Sequence, residues 1–208
     1  MASDEETKIG PSSLAPSAKP GHSSVLFEPY RAFGYYTSNV PFCIYKSSED
    51  TLIASVVGKN AFYVYNTIKL GLVFMSRFIA EEITHIQAAA TGLIYTSLKE
   101  TNEIIAWNKM HRHSVYKGHK EPIIGFIVTT NLIFSLGEQG EFLIFNVQTG
   151  SVVKRFQFEN RGLTGIIHPV TYVNKMLFFG ATKMELWNVI EHERVYEFTM
   201  PSPIETVV

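Results

Sequence analysis

Residues 142–146 read Phe-Leu-Ile-Phe-Asn, a short apolar run that ends in an aromatic residue followed by asparagine. The same ending recurs along the chain at spacings of 42, 38 and 42 residues. The four pairs are Tyr65-Asn66, Trp107-Asn108, Phe145-Asn146 and Trp187-Asn188. Such regular recurrence indicates an internal structural repeat.

Each pair is accompanied by three more stretches of strand composition. In the third unit, two of them precede the pair, at residues 123–128 and 132–136, and one follows it, at residues 152–156. Residues 78–90 could pass for a short helix, but the register of the repeat assigns them to strands. Four short strands that recur about every 40 residues are typical of the blades of a WD40-type β-propeller.

The recurring dipeptide has a physical explanation. We expect the aromatic ring to be buried between neighbouring blades and the asparagine to turn the chain by bonding nearby backbone. In the commonest WD40 repeats, a Gly-His pair stands near the start, and here Gly118-His119 stands 27 residues before Phe145. The aspartate that usually bonds this histidine is replaced by Gln139, so we expect less of a buried polar network and more reliance on apolar packing.

Composition divides the chain in two. Residues 1–24 are rich in Ser, Pro, Gly and Ala and predict a flexible tail. Residues 25–208 predict an all-β fold, a partial WD40 propeller of about four four-stranded antiparallel blades. The expected blade ends lie near Phe74, Lys117, Phe156 and Phe198, followed by Ile204–Val208 as the start of a fifth blade. Because WD40 rings usually need about seven blades, we expect a fragment, a truncated isoform or an incomplete gene model, with an unpaired face on its last blade.

The net charge, the cysteine count and the lengths of the apolar runs limit the functional classes to which the protein can belong. The 18 basic and 19 acidic residues nearly cancel, so any nucleic-acid contact should be local. The single cysteine, Cys43, rules out an intrachain disulfide, which fits a reducing intracellular compartment. No apolar run is long enough to span a bilayer.

The sequence contains no nucleophile elbow, phosphate loop or Cys-x-x-Cys pair. His111 and His113 would make only an incomplete metal site. We therefore expect no enzyme activity, no cofactor and no metal site, and we assign His119 a structural role.

One stretch of the second unit is locally basic. Lys109, Arg112, Lys117 and Lys120 are the candidates for contact with RNA or a protein partner. Charged outer strands also discourage sheet-to-sheet pairing, and this second interpretation is favoured.

Residues 26–41, LFEPYRAFGYYTSNVP, go beyond generic propeller character. Together with residues 116–120, 167–169 and 186–189, this run resembles the WD-repeat subunit family of the small-subunit processome, the nucleolar assembly that forms on pre-ribosomal RNA. The resemblance extends from about residue 25 to the C-terminus.

The resemblance implies two tandem seven-bladed propellers and a C-terminal helical region, of which this chain would contain about half of the first propeller. It also implies a nuclear and nucleolar scaffold that is needed for pre-rRNA processing to 18S rRNA. The implied partners are the other WD40 subunits of the UTP-B module, the U3 snoRNP and pre-rRNA, with no membrane and no small-molecule substrate. A generic WD40 adaptor in a ubiquitin ligase or a trafficking coat is the alternative, and a propeller hydrolase is a weaker one.

Overall fold

The computed structural model describes residues 41–47, 50–159, 162–169, 172 and 174–204. The tail predicted at residues 1–24 lies outside the described residues, as does all but Ile204 of the predicted fifth blade. The described residues form sixteen β-strands. Among them, no helix is long and apolar enough to cross a membrane.

The strands form four sheets of four strands each, and within every sheet the strands follow chain order and pair antiparallel. We call the sheets blades 1 to 4. Blade 1 consists of β1 (Phe42–Ser47), β2 (Asp50–Val57), β3 (Ala61–Asn66) and β4 (Leu72–Met75). Blade 2 consists of β5 (Ile83–Ala88), β6 (Ile94–Leu98), β7 (Ile104–Asn108) and β8 (His111–Tyr116). Blade 3 consists of β9 (Ile123–Val128), β10 (Leu132–Gly137), β11 (Glu141–Asn146) and β12 (Val152–Gln157). Blade 4 consists of β13 (Leu163–Ile167), β14 (Lys175–Gly180), β15 (Lys183–Asn188) and β16 (Glu193–Thr199).

The first strands of the blades lie next to one another around a common centre. β1 contacts β5, β5 contacts β9, and β9 contacts β13. Together these four strands line a cavity of about 310 Å³. The side-chain oxygen of Gln87 accepts a hydrogen bond from the backbone N–H of Val128 at 2.8 Å and so links two of the inner strands. The blades are therefore arranged radially in chain order, as in a propeller.

Three apolar clusters hold the blades together, one at each junction. The first joins Phe62 of blade 1 to Trp107 of blade 2, the second joins Tyr116 of blade 2 to Phe145 of blade 3, and the third joins Phe142 of blade 3 to Phe178 of blade 4. These rings are large apolar surfaces, and burying each contributes about 1.5–3 kcal/mol of stability.

The two inner blades differ from the two end blades in their burial. Every residue of β6 is buried, whereas β14 alternates between buried and half-buried positions. Among the described residues, an inner blade has a neighbouring blade on both faces, and an end blade has one on a single face. The four blades thus form an open arc, and the expectation of a partial WD40 propeller is confirmed.

Candidate functional site

The four repeat aromatics lie at equivalent points, each near the end of the third strand of its blade. Each pairs with a residue of the second strand. These pairs are Tyr65 with Ile53, Trp107 with Ile94, Phe145 with Ile133 and Trp187 with Met176. Three of the rings meet an aromatic ring from the preceding blade or its exit, nearly edge to face: Trp107 with Phe62 at 5.9 Å, Phe145 with Tyr116 at 5.9 Å and Trp187 with Phe158 at 4.9 Å. Such pairs contribute about 0.5–1.5 kcal/mol beyond burial.

Three of the four asparagines turn the chain through their own side chains. The side-chain oxygen of Asn66 accepts hydrogen bonds from the N–H groups of Ile68 and Lys69, at 2.8 and 3.3 Å. Asn146 and Asn188 accept the same two bonds from the residues two and three positions further on. Asn108 differs because it pairs directly with His111 across a hairpin of two residues. That turn is too short for the same arrangement and places Lys109 at a φ of 54°.

His119 lies in a closed, buried network. Its Nδ1 lies 3.0 Å from Oε2 of Glu141, and its Nε2 lies 2.6 Å from Oγ of Ser135. A carboxylate can only accept, so Nδ1 carries the proton and Nε2 accepts from the serine hydroxyl. The carboxylate of Glu141 also accepts the backbone N–H of Lys120 at 3.0 Å and a guanidinium N–H of Arg155.

Glu141 corrects the expectation of a weakened polar network. The aspartate that sequence reasoning sought before Gly140 is absent, but Glu141, directly after that glycine, supplies the carboxylate with a longer side chain. Arg155 extends the network by donating to the carbonyl oxygen of Gly118 at 2.9 Å. The sequence feature that indicates this network is Glu141 itself, a charged residue at the start of an otherwise apolar strand, because a buried carboxylate requires partners.

Burial lowers the pKa of His119 below its ordinary value of 6.5, and the nearby Glu141 only partly opposes this effect. The histidine is therefore neutral at pH 7. It holds the linker between blades 2 and 3 by hydrogen bonds and not as a cation.

The residues that correspond to His119 at the other two blade junctions are buried as well. Ile79 lies four residues before β5, as His119 does before β9, and Phe158 lies five residues before β13. All three side chains are buried. Sequence reasoning recognised only the histidine, because an isoleucine or a phenylalanine carries no motif at this position.

The four basic residues predicted to contact RNA or a protein partner do not form one cluster in the structure. Glu103 forms ion pairs with Arg112 at 3.5 Å and with Lys117 at 2.6 Å. Lys109 and Lys120 are exposed and form no ion pair with another described residue. They lie beyond opposite ends of β8, a six-residue strand, and a strand of that length spans about 20 Å.

Arg112 and Lys117 instead share a groove with residues that sequence reasoning missed. The groove has a volume of about 550 Å³ and lies between the linker that joins blade 1 to blade 2, residues 77–81, and the side chains of blade 2. Arg77 lines it and forms no ion pair with another described residue, and the adjacent Phe78 ring is 78% exposed. The groove therefore places Arg77 and an exposed aromatic side chain beside two cations that are paired with Glu103, and Glu81 also lines it.

Other chemistry-bearing residues occupy structural positions. Burial raises the pKa of the Cys43 thiol to about 11, which disfavours the reactive thiolate. His111 and His113 both lie exposed on β8. Among the described residues, no group of three or more His, Cys, Asp or Glu side chains could hold a metal ion.

The face of blade 4 that points away from blade 3 carries an apolar groove of about 330 Å³. The side chains that line it are uncharged: Pro169, Tyr172, Leu177, Met184, Leu186 and Phe198. Met184 and Leu186 stand three and one residues before the repeat aromatic, as Phe142 and Ile144 do in blade 3. In blade 3 these positions are buried against blade 4.

The chain is similar to one protein family and to two of its named relatives. The model of the WDR36/Utp21 first β-propeller family matches residues 53–208. The chain is 28% identical to human WD repeat-containing protein 36 over 181 residues, which are 85% of this chain and 20% of that protein. It is 24% identical to the U3 small nucleolar RNA-associated protein 21 homolog of Schizosaccharomyces pombe over 192 residues, 88% of this chain and 21% of that protein. The chain thus spans about a fifth of the length of these relatives.

A likeness to a solved structure concerns the fold alone. A chain from the crystal structure of the mitotic checkpoint complex superposes with a TM-score of 0.60 at 12% identity. The match covers 77% of this chain and 51% of that one.

Proposed function

Since the chain belongs to the WDR36/Utp21 first β-propeller family, we propose that it acts as a scaffold in the assembly that forms around U3 small nucleolar RNA during small ribosomal subunit production. The observation that carries this proposal is the family match over residues 53–208. The name of the S. pombe relative, which records association with U3 small nucleolar RNA, supports it.

The finer parts of the proposal follow the same resemblance. The chain acts in the nucleus, in the nucleolus, beside other WD40 subunits of the UTP-B module and the U3 snoRNP. Its assembly is needed for processing pre-rRNA to 18S rRNA. The protein binds partners and does not cut RNA; the structural roles of His119 and Glu141 and the raised pKa of Cys43 support a non-catalytic role.

We place the local RNA contact in the groove beside the linker between blades 1 and 2. Arg77, which forms no ion pair with another described residue, supplies positive charge there, and the exposed ring of Phe78 offers a surface on which a base can stack. Lys109 and Lys120 are separated by the length of β8 and are peripheral to this contact.

The test is recovery of RNA and protein with the tagged chain from nuclear extract. We expect enrichment of U3 RNA relative to a spliceosomal small nuclear RNA, together with other propeller subunits. Depletion of the protein should reduce 18S rRNA and leave precursor rRNA to accumulate. Equal recovery of the two RNAs, or recovery of ubiquitin-ligase or coat subunits in their place, would contradict the proposal.

A further inference from the structure

Two carboxylates line the groove beside the linker between blades 1 and 2, and their surroundings differ. Glu103 forms ion pairs with Arg112 and Lys117. Glu81 forms no ion pair with another described residue, although the next residue, Glu82, is paired with two lysines. A carboxylate without a cation repels phosphate. In an RNA complex, Glu81 must therefore face a part of the RNA other than its backbone.

A backbone contact holds the carboxylate of Glu81 in place. Its Oε2 accepts the N–H of Thr101, in the β6–β7 turn, at 2.8 Å. Its Oε1 forms no hydrogen bond with another described residue. Because each carboxylate oxygen has two acceptor sites, Oε1 keeps both and Oε2 keeps one. The side chain can therefore accept two further hydrogen bonds side by side.

The linker that carries Phe78 is anchored on both sides of the ring. Before it, Oγ of Ser76 accepts the N–H of Phe62 at 2.9 Å. After it, the N–H of the buried Ile79 donates to the carbonyl oxygen of Asn60 at 2.8 Å, and Nδ2 of Asn60 donates to the carbonyl oxygen of Ile79 at 3.0 Å. A fixed backbone therefore presents the exposed ring of Phe78, which lowers the entropy cost of stacking a base on it.

The four RNA bases differ in the hydrogen-bond donors of their Watson–Crick edges, where bases of single-stranded RNA are recognised. Guanine presents two neighbouring donors, N1–H and the N2 amino group. Adenine and cytosine place an acceptor nitrogen beside their amino group, and uracil has one N–H between two carbonyl oxygens. A carboxylate only accepts. Among the four bases, guanine alone therefore satisfies both oxygens of Glu81.

We propose that the groove selects guanine: the base stacks on Phe78, its N1–H and N2 amino group donate to Glu81, and Arg77 holds an adjacent phosphate. This inference rests on the RNA contact proposed above and adds base specificity to it. Arg77 and Phe78 are consecutive, and Glu81 follows three residues after the ring. One short segment thus provides the phosphate, stacking and base-edge contacts.

The test is the affinity of the 208-residue chain for pentanucleotides that differ only in the central base, measured by fluorescence anisotropy at one salt concentration. The RNAs are UUGUU, UUAUU, UUCUU, UUUUU and UUIUU, in which inosine lacks the N2 amino group of guanine. We expect UUGUU to bind about tenfold more tightly than the RNAs with adenine, cytosine or uracil, since a two-bond base contact discriminates by about this factor. UUIUU should bind less tightly than UUGUU.

Glu81→Gln tests the residue that carries the inference. A carboxamide presents one donor beside one acceptor, which complements adenine and not guanine. We expect this variant to lose the preference for UUGUU and to bind UUAUU more tightly than the wild type does, a gain that unfolding cannot produce. Glu100→Gln is the matched control, because it removes the same charge from an exposed neighbour of Thr101 outside the groove. It should keep the preference for guanine.

The possible outcomes separate this inference from the RNA contact on which it rests. Equal binding of all five RNAs by the wild type would overturn the selection of guanine and leave the RNA contact standing. Loss of the preference in both variants, or in neither, would also overturn it. Absence of binding to every one of these RNAs would contradict the RNA contact itself, and the inference with it.

Discussion

Nδ1 of His119 lies 3.0 Å from a carboxylate oxygen of Glu141, and this contact ties the linker that enters blade 3 to the third strand of the same blade. The pair replaces the histidine–aspartate contact common in WD40 repeats. Because both side chains are buried, neither can be removed without leaving polar groups of the other unsatisfied.

Glu141→Gln should destabilise the chain. The substitution removes the charge that faces Arg155 and replaces one carboxylate oxygen by an NH2 group, which cannot accept a hydrogen bond, so that either Arg155 or both His119 and Lys120 lose their acceptor. We expect a loss of about 1–3 kcal/mol in the free energy of unfolding, measured by urea titration. Glu138→Gln, in the exposed turn before β11, is the matched control and should change stability little. Equal stability of the Glu141 variant and the wild type would contradict the structural role of the network.

The stability of the chain should fall as the pH drops below about 6.5. Burial lowers the pKa of both His119 and His85 from the ordinary value of 6.5. In acid, the unfolded chain therefore binds more protons than the folded chain, and the free energy of unfolding decreases until the folded pKa values are reached. Glu141, Glu121 and Arg155 are the charged groups that act on His119, and burial outweighs them.

The check is the urea midpoint as a function of pH between neutrality and the range where carboxylates titrate. His119→Gln should have a shallower dependence than the wild type, because it lacks one of the two titrating groups. A midpoint that rises on acidification through this range would show that the histidines are held as cations.

A matched pair of alanine variants compares a fully buried and a half-buried side chain at the same position of the repeat. Phe142 is fully buried at the junction of blades 3 and 4, where its ring lies 5.1 Å from that of Phe178. Phe142→Ala should cost about 3–5 kcal/mol. Met184→Ala, at the equivalent position of blade 4, should cost less, because Met184 is only half-buried. Thermal unfolding of both variants checks this, and equal losses would contradict the difference in burial between the two positions.

The groove between blades 1 and 2 should account for RNA binding by the isolated chain. Replacing Arg77 by Glu and Phe78 by Ala removes a cation and a stacking surface, and base–aromatic stacking alone contributes about 1–3 kcal/mol. We expect weaker binding of a short fluorescent single-stranded RNA and a smaller salt dependence, both measured by anisotropy. Lys69→Glu, in the exposed β3–β4 turn of blade 1, is the charge control. An equal loss with Lys69→Glu would indicate nonspecific attraction.

Much of the fold is predictable from the sequence because it depends on local pattern. The strands expected at residues 123–128 and 132–136 occur as β9 and β10, the second of which ends one residue later, since each is a short apolar run between turn residues. The stretch at residues 78–90, which could pass for a helix, contains β5, because its isoleucines pack against neighbouring blades. The position of these residues within the repeat predicts a strand, whereas their composition alone does not distinguish a strand from a helix.

The surfaces were less predictable, because they depend on which side chains meet across strands. Glu103 lies far enough from Lys117 in sequence that their ion pair leaves no local signal, yet it removes Lys117 from the set of free cations. Arg77 and Phe78 carry no motif, and only the course of the linker between blades 1 and 2 brings them to the same groove as Arg112. The carboxylate of Glu141 is not predicted by the WD40 pattern, because that pattern has an aspartate before the turn glycine, whereas Glu141 follows it.

The most direct test of the central claim is a crystal structure of the 208-residue chain at side-chain resolution. We expect Tyr65, Trp107, Phe145 and Trp187 near the ends of four third strands that are related by successive rotation about one axis. We also expect His119, in the linker between blades 2 and 3, to bond Glu141 at the start of β11. Rings at unrelated points of the chain, or any of the four in a helix, would contradict it.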